Sequence, residues 1–97
     1  MRLNKRLSKI ASMIPFCEVL TDIGTDHGYI PIYAVLNRIC KKAVAADLRE
    51  GPLEKARENI RRYGVEDLIE LRIGNGLEPI LHKECDTVVI AGMGGIL

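Results

Sequence analysis

The spacing of hydrophobic residues along the chain alternates between helical and extended patterns. Apolar side chains recur at steps of three and four near the start and in two later stretches, which indicates amphipathic helices. These predicted helices span residues 3–14, 29–38 and 52–63, and a short one is expected at 78–83. Apolar or alternating runs between them predict strands at 18–23, 43–47, 68–73 and 86–92. This order of elements is typical of an α/β protein.

The first two predicted strands are separated by a single helix. A strand, a helix and a strand within about thirty residues form a βαβ unit, so the strands should be parallel and the crossover right-handed. The third predicted strand alternates polar and apolar residues, which indicates an edge strand. The fourth is apolar throughout and should be central.

The segment from Asp22 to Pro31 joins the first predicted strand to the next helix. It places Gly24 and Gly28 four residues apart, with a proline near the helix start. Glycine has no Cβ and reaches positive φ, so such a turn lets the backbone N–H groups approach a ligand closely. The following helix N-terminus adds positive potential. The first turn of a nucleotide-binding α/β fold is built in this way.

Acidic residues near this turn indicate the kind of ligand. Asp47 ends the second predicted strand about 20 residues beyond Gly24, where a carboxylate can accept hydrogen bonds from both hydroxyls of a ribose. The alternative is a capping or solvent-facing aspartate before the next helix, although Pro52 already marks that helix start. Asp26 and Asp22 would repel a pyrophosphate and suit a cationic amine or sulfonium. The acids therefore favour S-adenosylmethionine over NAD.

Composition narrows the possible class and location of the protein. The 97 residues have a formal net charge of +1 and are 47% hydrophobic, which is ordinary for a globular chain. With so small a net charge, any basic surface must be local, and the first predicted helix is the candidate for it. The basic face of this helix either contacts nucleic-acid phosphates or is merely solvated. No apolar run reaches the ~18–20 residues of a membrane span, and the three dispersed cysteines lack a Cys-x-x-Cys pair. We expect a cytoplasmic protein with buried thiols and no bound metal.

Motifs along the whole chain resemble one family of enzymes. They are Arg6-Leu7 with Ala11, the segment from Asp22 to Pro31, Ala46-Asp47, the Gly-Asn-Gly-Leu of residues 74–77 and the Ala-Gly-Met-Gly-Gly of residues 91–95. The chain resembles the N-terminal half of the bacterial tRNA adenine-N1 methyltransferases that modify position 22, the TrmK family. The resemblance implies an α/β, Rossmann-like class I methyltransferase fold. Its parallel sheet would be truncated to about four strands in the order 3-2-1-4, with an N-terminal helix.

The resemblance also implies that residues 1–97 are the N-terminal, S-adenosylmethionine-binding part of a larger domain. Later strands and a C-terminal helical domain would be absent, so these residues alone should be inactive. The last predicted strand would then be an exposed sheet edge, and we expect marginal stability or self-association there.

The residues and the resemblance together assign the site. The cofactor-binding residues are predicted to be Asp22, Gly24, Thr25, Gly28, Asp47, Leu48, Asn75, Gly76, Gly92 and Met93. The predicted contacts to the tRNA substrate are Arg6, Lys9, Tyr29, Gly94 and Gly95. The candidate catalytic residues are Asp26 and His27. Many class I enzymes have Asp-Pro-Pro-Tyr or Asn-Pro-Pro-Tyr after strand four, whereas the glycines here offer no side-chain acceptor for a target amine.

The implied reaction is attack by N1 of adenine on the sulfonium methyl group. Neutral adenine has a free lone pair at N1, so positioning and desolvation are the main tasks, and Asp26 could stabilise the cationic product. Simpler interpretations make Asp26 a turn-stabilising residue, His27 a packed histidine and Tyr29 a core residue. For the whole chain, the alternatives are a non-catalytic module that binds S-adenosylmethionine or RNA, and an NAD-dependent oxidoreductase, which Asp26 disfavours.

Overall fold

The computed structural model describes residues 1–25, 27–74, 87–90 and 95–96, and it describes residues 95–96 by their backbone alone. The helices are α1 (Lys5–Ser12), α2 (Tyr29–Leu36) and α3 (Glu50–Arg62). The strands are β1 (Cys17–Ile23), β2 (Cys40–Asp47), β3 (Ile69–Ile73), β4 (Thr87–Ile90) and β5 (Gly95–Ile96). The helix expected at residues 78–83 lies outside the described residues.

The five strands form one sheet in the order β3-β2-β1-β4-β5. The first four are parallel, which confirms the predicted order 3-2-1-4 and the edge position of β3. β5 is antiparallel to β4 and pairs with it at two positions, Val89 with Ile96 and Ile90 with Gly95. The expectation that β4 is an open edge is therefore wrong at these positions. Gly95, expected in a glycine loop, has strand backbone.

Local sequence explains where the helices begin and end. The side chain of Asn4 caps α1, since its Oδ1 accepts a hydrogen bond from the Leu7 N–H at 2.8 Å. Pro15 follows the end of α1 closely, as the sequence predicted. α2 is apolar on most sides because it packs against α1, α3, β1 and β2. α3 begins at Glu50, two residues before the predicted start at Pro52.

The hydrophobic core is centred on β1, which lies between β2 and β4. Leu20 is fully buried and its Cα pairs with those of Ala43 in β2 and Thr87 in β4. Since paired residues point to the same face, Leu20 and Ala43 share the surface on which the buried side chains of α2 pack. The parallel strands end together, so the loops after β1, β2 and β3 meet at one edge of the sheet.

Candidate functional site

The turn after β1 is tightly bound to the end of β2. Gly24 and Gly28 both have positive φ, 71° and 74°. The N–H groups of Gly24 and Thr25 both donate to the carbonyl oxygen of Ala46, at 2.9 and 3.0 Å. The Gly28 N–H donates to the Thr25 carbonyl at 2.9 Å. These three N–H groups hold the turn together, so a ligand would have to be met by other groups of the turn.

Asp47 lies beside this turn at the last position of β2. It is 5% exposed, and its Oδ1 accepts hydrogen bonds from Arg49, from the backbone N–H at 2.9 Å and from Nε at 3.5 Å. The N-cap of α3 is Arg49, so Asp47 does not cap that helix, as the alternative interpretation supposed. Among the described residues Oδ2 has no hydrogen-bond partner. One carboxylate oxygen is thus fixed by the protein while the other remains available to a ligand.

The loop after β3 closes the same edge. The Gly74 N–H donates to the Asp47 carbonyl at 3.0 Å, so the three loops are joined through the end of β2. Leu48, which follows Asp47, is 63% exposed, unusual for a leucine next to a buried strand. An apolar ligand surface at this edge would cover it. The predicted neighbours Asn75 and Gly76 lie outside the described residues.

Polar side chains are buried behind the turn. Asp22 is 1% exposed and sits between Ala45 of β2 and Val89 of β4. Thr25 is 5% exposed, and its hydroxyl oxygen has no hydrogen-bond partner within the described part of the chain. Buried polar groups are costly unless they are satisfied. A hydroxyl in this state at the turn fits a site where a bound ligand supplies the missing partner.

His27 and Tyr29 form an aromatic pair at the start of α2. Their ring centroids are 5.2 Å apart and the planes differ by 9°, so the rings are stacked. Both residues are partly exposed. The histidine is therefore packed on an aromatic ring and also borders solvent, which leaves both interpretations of it open. Asp26, between Thr25 and His27, lies outside the described residues, as do Gly92, Met93 and Gly94.

Arg6 and Lys9 belong to a different element, α1, which packs against α2. Both are exposed. They lie on a helix rather than on the loops that follow β1, β2 and β3.

Sequence reasoning missed two residues that build this site. Arg49 binds Asp47, and the spacing of two residues after an aspartate is the signal for such a local turn. Asn59, in the middle of α3, donates from Nδ2 to the carbonyl oxygen of His27 at 2.9 Å. The signal was a polar residue beside Ile60 in the buried part of a helix, where asparagine is disfavoured.

Other features of the described residues do not extend the site. A cavity of about 460 Å³ lies along β2 and β3, lined by Lys42, Val44 and Glu70 among others, away from the glycine turn. No group of three or more potential metal ligands gathers within the described ranges. The helices described are all too short or too polar to cross a membrane.

A parallel sheet in this order, with a glycine turn after β1 and a buried acid at the end of β2, defines the nucleotide-binding half of a Rossmann-like protein. A model of the methyltransferase domain family matches residues 3–97. The chain belongs to this methyltransferase family.

The relatives identify a narrower group. The tRNA (adenine(22)-N(1))-methyltransferase of Bacillus subtilis is 43% identical over 97 residues, all of this chain and 41% of its own length. The structure of M. capricolum TrmK in complex with S-adenosyl-homocysteine is 39% identical, with a TM-score of 0.86, and matches over 93% of this chain and 41% of that one. The structure of a putative tRNA (m1A22) methyltransferase from Streptococcus pneumoniae in complex with S-adenosyl-L-methionine is 32% identical, with a TM-score of 0.86. The match covers 92% of this chain and 42% of that one.

These comparisons confirm the resemblance that the sequence motifs indicated. The chain spans about two fifths of the length of these relatives. They support the assignment of the fold and of the family over the whole of the chain.

Proposed function

We propose that the chain is the S-adenosylmethionine-binding part of an enzyme that methylates N1 of adenine 22 in tRNA. The observation that supports this most directly is Asp47, a buried carboxylate with one oxygen held by Arg49 and the other unoccupied by the described residues. It stands beside the glycine turn, where an acid binds a ribose. The names of the relatives supply the tRNA substrate and the methylated position.

Different residues at the carboxyl edge of the sheet would contact different parts of the cofactor. Asp47 would accept hydrogen bonds from the ribose hydroxyls through Oδ2, and the neighbouring Leu48 would cover an apolar surface of the ligand. Asp22 and the turn with Gly24, Thr25 and Gly28 would surround the methionine part, where the unsatisfied Thr25 hydroxyl fits a polar group. Asn75 and Gly76 would lie beside the adenine of the cofactor.

The cofactor would supply a methyl group made electrophilic by the adjacent sulfonium. The protein would then align the target base with that methyl group, since N1 of neutral adenine already has a lone pair. Asp26 would stabilise the positive charge left on the methylated base, and His27 with Tyr29 would present stacked rings beside it. The glycines at 92–95 would border the base, with Met93 against the cofactor.

Residues of α1 would help to hold the tRNA. Arg6 and Lys9 are exposed on α1 and would contact phosphates without reading the base sequence. With such a substrate the protein would act in the cytoplasm. Self-association at the sheet edge remains a prediction, and β5 rather than β4 would be the strand that forms it.

Calorimetry with S-adenosylmethionine, S-adenosylhomocysteine and NAD tests the proposal. We expect both adenosyl ligands to bind and NAD to bind at least tenfold more weakly. Asp47→Ala should weaken S-adenosylmethionine binding by at least about 1.5 kcal/mol, because two hydroxyls lose a charged acceptor. Asp67→Ala, an exposed aspartate between α3 and β3, is the matched control and should bind normally. Equal affinity of Asp47→Ala and the wild type, with the fold intact, would refute the ribose assignment, and preferential NAD binding would refute the cofactor.

A further inference from the structure

α3 supports the glycine turn with two residues one helical turn apart. Ala56 is fully buried, and a Cβ placed on Gly28 would lie 3.0 Å from the Cβ of Ala56. Asn59, at 9% exposure, donates from Nδ2 to the His27 carbonyl oxygen at 2.9 Å. Residues three apart on a helix lie on the same face. One face of α3 therefore touches two consecutive residues of the turn, by packing and by a hydrogen bond.

The hydrogen bond from Asn59 completes the restraint of a single peptide unit. The peptide that joins His27 to Gly28 is trans, so its C=O and N–H point in opposite directions. The carbonyl accepts from Asn59, and the N–H donates to the Thr25 carbonyl at 2.9 Å. With both ends bound, this peptide cannot rotate about its flanking bonds without breaking a hydrogen bond.

Asparagine is a costly choice for this position. It is among the weaker helix formers, and a buried amide is unfavourable unless it is hydrogen-bonded. Leu53, Ala56 and Ile60 are buried on the same helix, so a leucine at position 59 would continue an apolar surface. The bond to the turn provides the physical reason for the amide.

We propose that Asn59 is a positioning residue for the cofactor. It fixes the orientation of the His27–Gly28 peptide and with it the stacked pair of His27 and Tyr29. A turn that is already ordered loses less conformational freedom when the ligand binds, which raises affinity. This inference rests on the proposed binding of S-adenosylmethionine at the turn, and it adds a residue that never touches the ligand.

Two substitutions remove the hydrogen bond in different ways. Asn59→Asp keeps the shape but replaces the donor by an acceptor that faces the His27 carbonyl. Asn59→Leu keeps the approximate volume and leaves a packed apolar side chain. The matched control is Ile60→Val, which weakens the core one residue away and leaves the turn intact. Dissociation constants for S-adenosylhomocysteine are measured well below the melting temperature of each variant, and amide exchange at Gly28 is measured without ligand.

We expect both Asn59 variants to bind S-adenosylhomocysteine about 3–10-fold more weakly, in keeping with one lost hydrogen bond. Exchange of the Gly28 amide should be faster in both, whereas Ile60→Val should match the wild type in affinity. Wild-type affinity in the Asn59 variants, or an equal loss in Ile60→Val, would overturn the inference. So would failure of both Asn59 variants to fold, since Asn59 would then be a general structural residue. If the wild type itself does not bind the ligand, the proposed function fails, while the exchange at Gly28 still reports whether Asn59 orders the turn.

Discussion

The close contact between Gly28 and α3 leads to a quantitative prediction about stability. A Cβ at position 28 would lie 3.0 Å from the Cβ and 3.3 Å from the Cα of Ala56. Alanine there would also adopt a φ of +74°, which costs an L-residue about 1–2 kcal/mol. The close contact with Ala56 would destabilise the folded state by about 1–3 kcal/mol more. The lower conformational entropy of the unfolded alanine variant would offset about 0.4–1 kcal/mol of this loss. We therefore expect Gly28→Ala to lower the free energy of unfolding by about 1–5 kcal/mol.

Alanine substitutions at two other glycines separate the cost of backbone strain from the cost of the close contact. Gly64 has a φ of +67°, and a Cβ added there would have no neighbour within 4 Å, so Gly64→Ala tests the backbone strain alone and should cost about 1 kcal/mol. Gly51 lies in α3 with no neighbour within 4 Å of such a Cβ and no positive φ. Gly51→Ala should therefore stabilise the protein by about 0.5–1 kcal/mol.

Urea denaturation of the three alanine variants gives these free energies directly. The double variant Gly28→Ala/Ala56→Gly removes the closest carbon atom, so the two changes should be coupled by about 1 kcal/mol or more in a double-mutant cycle. A loss in Gly28→Ala no larger than that in Gly64→Ala, with additive effects in the double variant, would show that Ala56 does not press on the turn. The packing argument would then be refuted.

Two further predictions concern ligands. Gly24→Val should abolish S-adenosylmethionine binding in calorimetry, because a β-branched residue is strained at a φ of 71° and its Cβ would stand in the ligand's path; normal binding would show that the turn does not approach the ligand. Arg6→Ala should weaken tRNA binding and reduce the log–log salt slope by roughly 0.7–0.9, whereas Lys55→Ala, an exposed cation on α3, should leave the slope unchanged. A lower melting temperature for Arg6→Ala with an unchanged slope would make it a structural residue.

The four parallel strands could be predicted because each has its own apolar pattern, and the family resemblance implied their order in the sheet. β5 could not, because two residues are too few to show a period and its pairing depends on β4. The predicted start of β2, at residue 43, also lies three residues after its observed start at Cys40. Lys41 and Lys42 are exposed and resemble a loop in sequence, yet they are part of β2 and Lys42 pairs with Val19 of β1. Backbone pairing at the amino end of a strand does not require apolar side chains.

The arrangement of the candidate site was predictable where its signals are local. Gly24 and Gly28 follow β1 and Asp47 ends β2, and the structure places the turn and the acid side by side. The pairing of Asp47 with Arg49 is also local. The bond from Asn59 to His27 joins residues 32 positions apart, so no spacing rule reveals it before the helix is packed. Sequence patterns show which face of a helix is buried, whereas the partner of a buried amide depends on the fold.

The segment from β2 to α3 therefore has two functions that depend on each other. Its first part presents Asp47 at the edge of the sheet, and its helix returns across the sheet to place Ala56 and Asn59 against the turn after β1. The crossover of a βαβ unit makes this return possible, since it lays α3 against β2 and β3, the two strands that it connects. A shift of α3 would loosen the turn and displace the loop that holds Asp47. Substitutions of Ala56 or Asn59, the residues of α3 that touch the turn, should then weaken ligand binding, although neither residue lies at the edge itself.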